Sequence, residues 1–147
     1  LEEALRNINI FLNRAEADTG KALLASAHKY RLIMLADLMR YDDLIRCSEE
    51  SISKFPEFTD LYHLSAAGYQ SLGKTGKAME LLRKALSMGP AEEGYPSVAG
   101  HGTFLTCRDL GILHNCIGNP KSADLYFTLA SVMAGEARLR FKEPQVS

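Results

Sequence analysis

The chain has 147 residues, of which 46% are hydrophobic and 24% are charged, and its formal net charge is −1. This length allows one domain with a hydrophobic core, and the composition is ordinary for a globular protein. The near-zero charge argues against a dedicated surface for nucleic acid or anionic membranes. No run approaches the roughly 18 consecutive apolar residues that a membrane span needs.

The chain contains three cysteines, Cys47, Cys107 and Cys116. An odd number without a recognisable framework predicts reduced thiols and a cytoplasmic location. Cys107 and Cys116 lie on one predicted helix, too far apart along its axis to form a disulfide. We therefore predict that all three cysteines are small buried core residues.

The hydrophobic pattern of the first half of the chain predicts helices. Apolar residues recur at helical spacing through residues 1–17, and a second helix without a breaker is predicted over 21–39. The first of these is either the second helix of a repeat whose first helix is absent, or a leading cap. A third helix begins at Tyr41 or Asp42 and ends at Phe55-Pro56.

In the second half, Thr59 is the predicted N-cap of a fourth helix, because its hydroxyl can accept a hydrogen bond from a free backbone N–H. A fifth helix is predicted from about Gly76 to Met88. Residues 91–102 contain Pro96 and three glycines. They predict an irregular insertion that projects from one end of a helix pair and offers a contact surface.

Two more helices are predicted after the insertion, over residues 103–117 and from Pro120 to about Ala134. Gly118 between them fits a left-handed cap. We expect Gly135 to break the last helix, and residues 142–147 to be disordered. No segment shows the two-residue alternation of a strand, so the sequence predicts an all-α fold.

Residues 59–90 have the pattern of two short helices joined by a tight turn. Small residues at helix crossings let two backbones approach, and larger neighbours fill the grooves. The segment resembles one tetratricopeptide repeat (TPR), with signature positions at Tyr62, Ala66, Tyr69, Gly73, Ala78, Leu82, Ala85 and Pro90. Ser65 departs from the signature, because leucine is usual there. One such unit cannot bury its own apolar face, so neighbouring repeats are expected.

Shifting the pattern along the chain reveals these neighbours. A shift of 34 residues backward places Pro90 on Pro56 and Gly73 on Met39, which makes the earlier repeat degenerate. A shift of 45 residues forward places Gly73 on Gly118, and further signature positions fall on Leu110, Gly111, His114, Ala123, Phe127 and Ala130.

We therefore predict a tetratricopeptide-type superhelical stack of antiparallel helix pairs. The predicted organisation is a single domain over residues 1–134, with repeats at about 25–56, 59–90 and 104–135, the insertion at 91–102 and a C-terminal tail at 135–147.

A second resemblance extends over nearly all of residues 1–134. The chain is similar to the repeat region that follows the catalytic domain in many bacterial family 2 glycosyltransferases. The similarity lies in Phe55-Pro56 followed by Thr59-Asp60-Leu61, the Tyr-Pro-Ser segment 95–97, the Gly-x-Gly-Thr segment 100–103, Leu110-Gly111, and the Arg6-Asn7 pair. The resemblance implies a parent enzyme that transfers a sugar from a nucleotide-sugar donor.

The catalytic part of such an enzyme is not in this chain. Those transferases hold a metal and the donor diphosphate with an Asp-x-Asp motif, whereas Asp42 and Asp43 are adjacent and on a predicted helix. No histidine or cysteine has a partner at metal-ligand spacing on its helix, and His114 is interpreted as a packed residue between helices. The sequence therefore predicts no catalytic residue, no cofactor and no metal site.

The concave surface of such a stack is lined by the first helix of each repeat. In the repeat register, the candidate binding residues on it are Lys29, Ile33, His63, Gln70, Arg108, Ile112 and Asn115. This mixture of apolar and weakly basic side chains fits an extended or helical peptide. The alternative is a groove that neighbouring parts of the chain itself cover.

These patterns predict a non-catalytic interaction module that binds protein. Its partner is a peptide segment, an adjoining catalytic domain or a second copy, and a homodimer is possible because Leu5, Ile8 and Leu12 predict an apolar end that something must cover. The first interpretation is the C-terminal arm of a bacterial glycosyltransferase, which binds a partner, an acceptor or a second subunit. The alternative is a free-standing TPR adaptor.

Overall fold

The computed structural model describes residues 1–142 of the chain, and the side chains of residues 1–136. Every regular element in this part is a helix, which confirms the all-α class. The helices are α1 (Glu2–Arg14), α2 (Lys21–Asp37), α3 (Tyr41–Lys54), α4 (Thr59–Ser71), α5 (Thr75–Met88), α6 (Phe104–Cys116) and α7 (Pro120–Lys142). Consecutive helices pack against one another along the chain.

Three equivalent turns join α2 to α3, α4 to α5, and α6 to α7. Each turn contains one residue with left-handed backbone, namely Met39 (φ 55°), Gly73 (φ 75°) and Gly118 (φ 75°). Glycine adopts this conformation without steric cost, whereas a residue with a Cβ atom is strained there. The left-handed Met39 shows that the first turn keeps the repeat geometry even though it lacks glycine.

The helix pairs cross at small residues, as the repeat pattern predicts. Ala78 and Ala85 of α5 are fully buried. A Cβ atom on Gly111 of α6 would lie 2.7 Å from the ring of Phe127 on α7. These positions therefore tolerate no larger side chain without movement of the neighbouring helix.

At the N-terminal end, α1 covers α2 and α3. Leu5 of α1 is 3% exposed and belongs to a core cluster with Leu35 and Leu44, while Ile8 and Leu12 are half-buried. The apolar face of α1 is thus covered largely within the chain. The expectation that another domain or a second copy must cover this apolar end is therefore wrong for Leu5, which α2 and α3 cover.

Three local predictions, on the cap at Thr59, the end of α7 and the burial of the cysteines, are wrong. Thr59 is the first residue of α4, and its hydroxyl donates to the carbonyl of Gly89 instead of capping the helix. Gly135 does not break α7, which continues to Lys142. The expected break at Gly135 and the expected disorder of Lys142 are therefore wrong, whereas residues 143–147 lie outside the described residues. Cys107 is buried, Cys47 is half-buried and Cys116 is exposed, so the burial of all three cysteines is also wrong.

The segment between α5 and α6 contains no helix, but it does not project from the stack. Its two ends meet, because a Cβ atom on Gly102 would lie 2.0 Å from the carbonyl oxygen of Gly89. A loop whose ends are this close and whose side chains pack inward is an Ω-loop. Residues 91–102, called the insertion below, fold back onto α2 and α4.

Candidate functional site

Asp60 of α4 is the centre of the contact between the insertion and the helices. Its side chain is fully buried, and one carboxylate oxygen lies 3.0 Å from Lys29 Nζ of α2. Ser97 donates its hydroxyl proton to Asp60, and the backbone N–H of Val98 donates to it over 2.9 Å. Nδ1 of His101 lies 3.0 Å from the other oxygen, without the angle of a hydrogen bond.

These contacts decide the charge of Asp60. Burial opposes ionisation of the carboxyl group, but His101, Ser97, the Val98 N–H and Lys29 together outweigh it and hold the pKa of Asp60 well below its usual range. Lys29 also donates to the carbonyl of Pro96 over 2.7 Å. A buried carboxylate on α4 therefore fastens the insertion to two helices at once.

Tyr95 forms the apolar half of the same contact. Its ring stacks on that of Phe58 with centroids 4.7 Å apart, and Phe58 is fully buried. The Tyr95 hydroxyl donates to Glu57, and Lys21 Nζ lies 2.9 Å from the same carboxylate and over the Tyr95 ring. The hydroxyl of Tyr95 and the ammonium of Lys21 lower the pKa of Glu57 to about 2.

Two stacked histidines lie where the insertion meets α4 and α6. The rings of His63 and His101 are nearly parallel, with centroids 3.9 Å apart. Thr106 accepts a hydrogen bond from the N–H of Gly102, so its own proton is available to His63 Nε2 at 2.6 Å. Burial, and to a lesser extent the neighbouring His101, lower the pKa of His63, although the nearby Asp109 opposes this shift.

The concave surface therefore has two different halves. In the covered half, between α2 and α4, the insertion lies over Lys29 and reaches His63, which forms the border with the other half. In the open cleft, between α4 and α6, a depression of about 190 Å³ remains. It is lined by His63, Ala66, Ala67, Gln70, Leu82, Asp109, Ile112 and Leu113.

The open cleft has an apolar floor and a polar rim. Leu82 and Leu113 are buried at its base, whereas Ile112 is 45% exposed on its wall. Among the residues whose side chains are described, Gln70 presents a buried Oε1 atom that has no hydrogen-bond partner. Burial disfavours the Asp109 carboxylate, but His63 and Arg108 outweigh it and lower its pKa. The cleft can therefore accept an apolar group at its base and hydrogen-bond donors at Gln70 and Asp109.

The predicted concave residues separate into three groups. His63, Gln70 and Ile112 meet in the open cleft. Lys29 is engaged with Asp60 and Pro96 in the covered half, and Ile33 is half-buried on α2. Arg108 and Asn115 are exposed on α6, where Arg108 donates to Asp109.

Sequence reasoning did not identify Asp60, His101 or Asp109, whereas Tyr95 belongs to the insertion that it predicted as a contact surface. Asp60 lies in the first turn of α4, where an acidic residue is common because negative charge suits the helix dipole. One signal was available, because Asp60, Tyr95 and Ser97 all belong to the segments that carry the glycosyltransferase-arm resemblance. His114 does pack between helices, stacking on Tyr126 with centroids 5.2 Å apart.

The helix pairs, their left-handed turns and the concave groove define the class of the protein, a helical-repeat stack of the tetratricopeptide type. Solved structures of the same shape agree with this class. The chain is similar to a crystal structure of MamA, with a TM-score of 0.73 and 18% identity over 93% of this chain and 70% of that one. It also resembles MamA 41-end from Desulfovibrio magneticus RS-1, with a TM-score of 0.67 and 16% identity over 92% and 68% of the two chains.

At this level of identity the similarity shows the fold alone. No protein-family model matches the chain, and no curated protein matches it. In the described part of the chain no helix has the length and apolar character to cross a bilayer. Nor do any three His, Cys, Asp or Glu side chains among the described residues come together as a metal site.

Proposed function

We propose that the chain is an interaction module that binds a peptide segment of a protein partner in the open cleft. The observation that carries this proposal is the composition of the cleft, an apolar floor of Leu82 and Leu113 beside the unpartnered Oε1 of Gln70. A buried acceptor without a partner is costly, and a ligand that donates to it relieves this cost. Peptides carry both backbone donors and apolar side chains.

The covered half supports the same proposal. There a loop of the chain itself lies on the concave surface, with Tyr95 stacked on Phe58 and the Pro96 carbonyl accepting from Lys29. The helices of this stack therefore already hold one non-helical segment through a ring and a main-chain contact. A second segment in the open cleft would use the same kinds of contact.

Selection of peptides from a random library against the 147-residue chain tests the proposal. Selected peptides should lose binding to Ile112→Lys and Gln70→Ala, which change the wall and the free acceptor. The matched control is Lys84→Glu, at an exposed position of α5 outside the cleft. Peptides that bind the Ile112→Lys protein as tightly as the unchanged protein would show that the cleft is not the binding site.

The wider role we propose is that of a repeat arm of a bacterial glycosyltransferase. The support is the sequence resemblance in the segments around Phe55 and Tyr95, and the arm would contact an acceptor, a partner or a second subunit. The alternative is a free-standing adaptor in the cytoplasm, which fits the cleft equally well. The gene sequence directly before Leu1 distinguishes them, since an α/β domain with Asp-x-Asp supports the arm and a start codon supports the adaptor.

The domain limits also remain a proposal, namely one repeat domain with an insertion at 91–102. Limited proteolysis tests it. One protected fragment that keeps α1 to α7 together agrees with a single domain, whereas early cleavage within the insertion into two stable fragments contradicts it.

A further inference from the structure

The outward face of the second helix differs between the three repeats. With the left-handed turn residues as the reference, three positions on this face can be compared. They are Arg46, Glu50 and Ser53 on α3, Glu80, Lys84 and Ser87 on α5, and Leu125, Leu129 and Val132 on α7. All nine side chains are exposed. The first two repeats therefore present polar groups to solvent where the third presents only apolar ones.

Leu125, Leu129 and Val132, called the α7 stripe below, are 72%, 40% and 55% exposed. Their spacing of four and three residues places them in one line along the helix. The stripe is also distinct from the face of α7 on which a further repeat would pack. Met79 of α5 packs in a buried cluster with Leu110 of α6, but the equivalent residue of α7 is the exposed Asp124.

The residues at the ends of the α7 stripe carry opposite charges. Lys121 lies one turn before Leu125 and Glu136 lies one turn after Val132, and both are exposed. At 100° per residue, Lys121, Glu136 and the stripe fall within about 80° of one another around the helix axis. One face of α7 thus begins with a cation, continues with three apolar side chains and ends with an anion.

This face is complementary to itself in the antiparallel direction. A twofold axis between Thr128 and Leu129 brings Leu125 opposite Val132 of the second copy, and Lys121 opposite Glu136 of the second copy. In each pair the two residues are equally far along the helix from the axis. A parallel arrangement would instead place like charges together, which is unfavourable.

We propose that the α7 stripe is a homodimer interface, in which α7 pairs antiparallel with α7 of a second copy. A twofold contact uses the same patch on both copies. The α7 face meets this requirement, because its cationic end lies opposite the anionic end of the second copy and the apolar residues meet between them. The exposed apolar area is much smaller than the ~800 Å² per partner of a stable interface. The dimer is therefore weak, with a Kd of roughly 10–500 µM.

Sedimentation velocity of the 147-residue chain over about 5–500 µM measures this association. The expected result is a shift from monomer to dimer within that range. Leu129→Glu should weaken the dimer at least about tenfold, because it places two carboxylates in the apolar contact. The matched control, Lys84→Glu, introduces the same side chain at the equivalent position of α5 and should leave the association unchanged.

Charge exchange tests the antiparallel arrangement. Lys121→Glu and Glu136→Lys should each weaken the dimer by about threefold to tenfold, and the double variant should restore it. Circular dichroism and denaturation midpoints of the variants establish that each is folded. A chain that stays monomeric at the highest concentration overturns the proposal and leaves the stripe to a helix of another protein. A dimer that Leu129→Glu does not weaken, or that the double exchange does not restore, overturns it equally.

Discussion

The covered half and the open cleft of the concave surface are both lined by the first helices of repeats, but they differ in the burial and the partners of their central carboxylate. In the covered half a buried carboxylate, Asp60, joins Lys29 of α2 to the insertion. In the open cleft Asp109 is partly exposed, and its ion-pair partner Arg108 is on the surface. The covered half is therefore a stability element, whereas the open cleft keeps unsatisfied groups available for a ligand.

The difference shows that a repeat stack can fill part of its own groove. In the covered half, the insertion occupies the groove and makes the contacts that a ligand would otherwise make. The contacts made there by Tyr95 and by the Pro96 carbonyl show which groups this surface holds. Breaking them should affect stability, while changes in the open cleft should affect binding.

The largest expected effect is that of Asp60→Ala. The substitution leaves the Lys29 ammonium, which is 12% exposed, without its counter-charge and removes two hydrogen bonds to the insertion. We expect a loss of about 3–5 kcal/mol in the free energy of unfolding, measured with urea.

The control for Asp60 is Asp43→Ala, which removes a more exposed carboxylate paired with Arg40 and Arg46. It should cost less than about 1 kcal/mol. Equal losses for the two variants would mean that Asp60 does not fasten the covered half.

Removal of the Tyr95 ring should have the next largest effect. Tyr95→Ala deletes the stack on Phe58 and exposes part of that buried ring, so we expect a loss of about 2–3 kcal/mol in urea denaturation. Tyr95→Phe keeps the stack and loses only the hydrogen bond to Glu57, whose side chain is partly exposed. It should therefore cost less than about 1 kcal/mol. A larger loss for Phe than for Ala would contradict the importance of the stack.

Acid should weaken the chain through His28 of α2. Burial, and then the nearby Arg31, lower the pKa of His28 to about 4 from the ordinary 6.5. Between these values the unfolded chain binds a proton that the folded chain does not, so stability falls as the pH falls from 6.5 to 4. The expected contribution of His28 is about 3 kcal/mol, since one pKa unit corresponds to about 1.4 kcal/mol.

The test compares urea denaturation of the unchanged protein and His28→Gln across that pH range. Glutamine can still accept the hydrogen bond that Arg31 donates to His28 Nδ1, but it does not titrate. His63 also has a lowered pKa and contributes a slope of the same sign to both proteins. The difference between the two curves isolates His28, and parallel curves would show that it does not titrate in this window.

The smallest effect on stability is expected in the open cleft. Ile112→Lys replaces a side chain that is 45% exposed, so the free energy of unfolding should change by less than about 0.5 kcal/mol. On the same helix, Leu110→Ala removes a fully buried side chain and should cost about 2–5 kcal/mol. A strong destabilisation by Ile112→Lys would mean that the cleft wall belongs to the core.

The sequence predicted the features that depend on local spacing. The turn at Gly73, the crossing residues Ala78 and Ala85, and the equivalence of Met39 and Gly118 follow from a pattern that recurs at fixed distances. Local rules failed where a distant contact or a neighbouring helix decides. Thr59 bonds to a carbonyl 30 residues away, and helical Gly135 costs only about 1 kcal/mol, which packing against α6 can offset.

The covered half could not be predicted for the same reason. Asp60 and Ser97 are 37 residues apart, and nothing in the spacing of either residue indicates that they meet. The insertion has the glycines and proline of an ordinary surface loop, and loops of this composition usually lie in solvent. Only the folded chain shows that a close approach at Gly102 turns the loop inward.

The insertion also changes how the stack should unfold. In a simple repeat array each unit contacts only its neighbours, so units at the ends can open while the rest stay folded. Here a loop that leaves α5 and enters α6 is fastened through Lys29 to α2 of the first repeat. The first repeat, the second repeat and the insertion are thereby linked, and opening of α2 must break the buried contact of Lys29 with Asp60. We therefore expect α2, α4 and the insertion to open together rather than one repeat at a time.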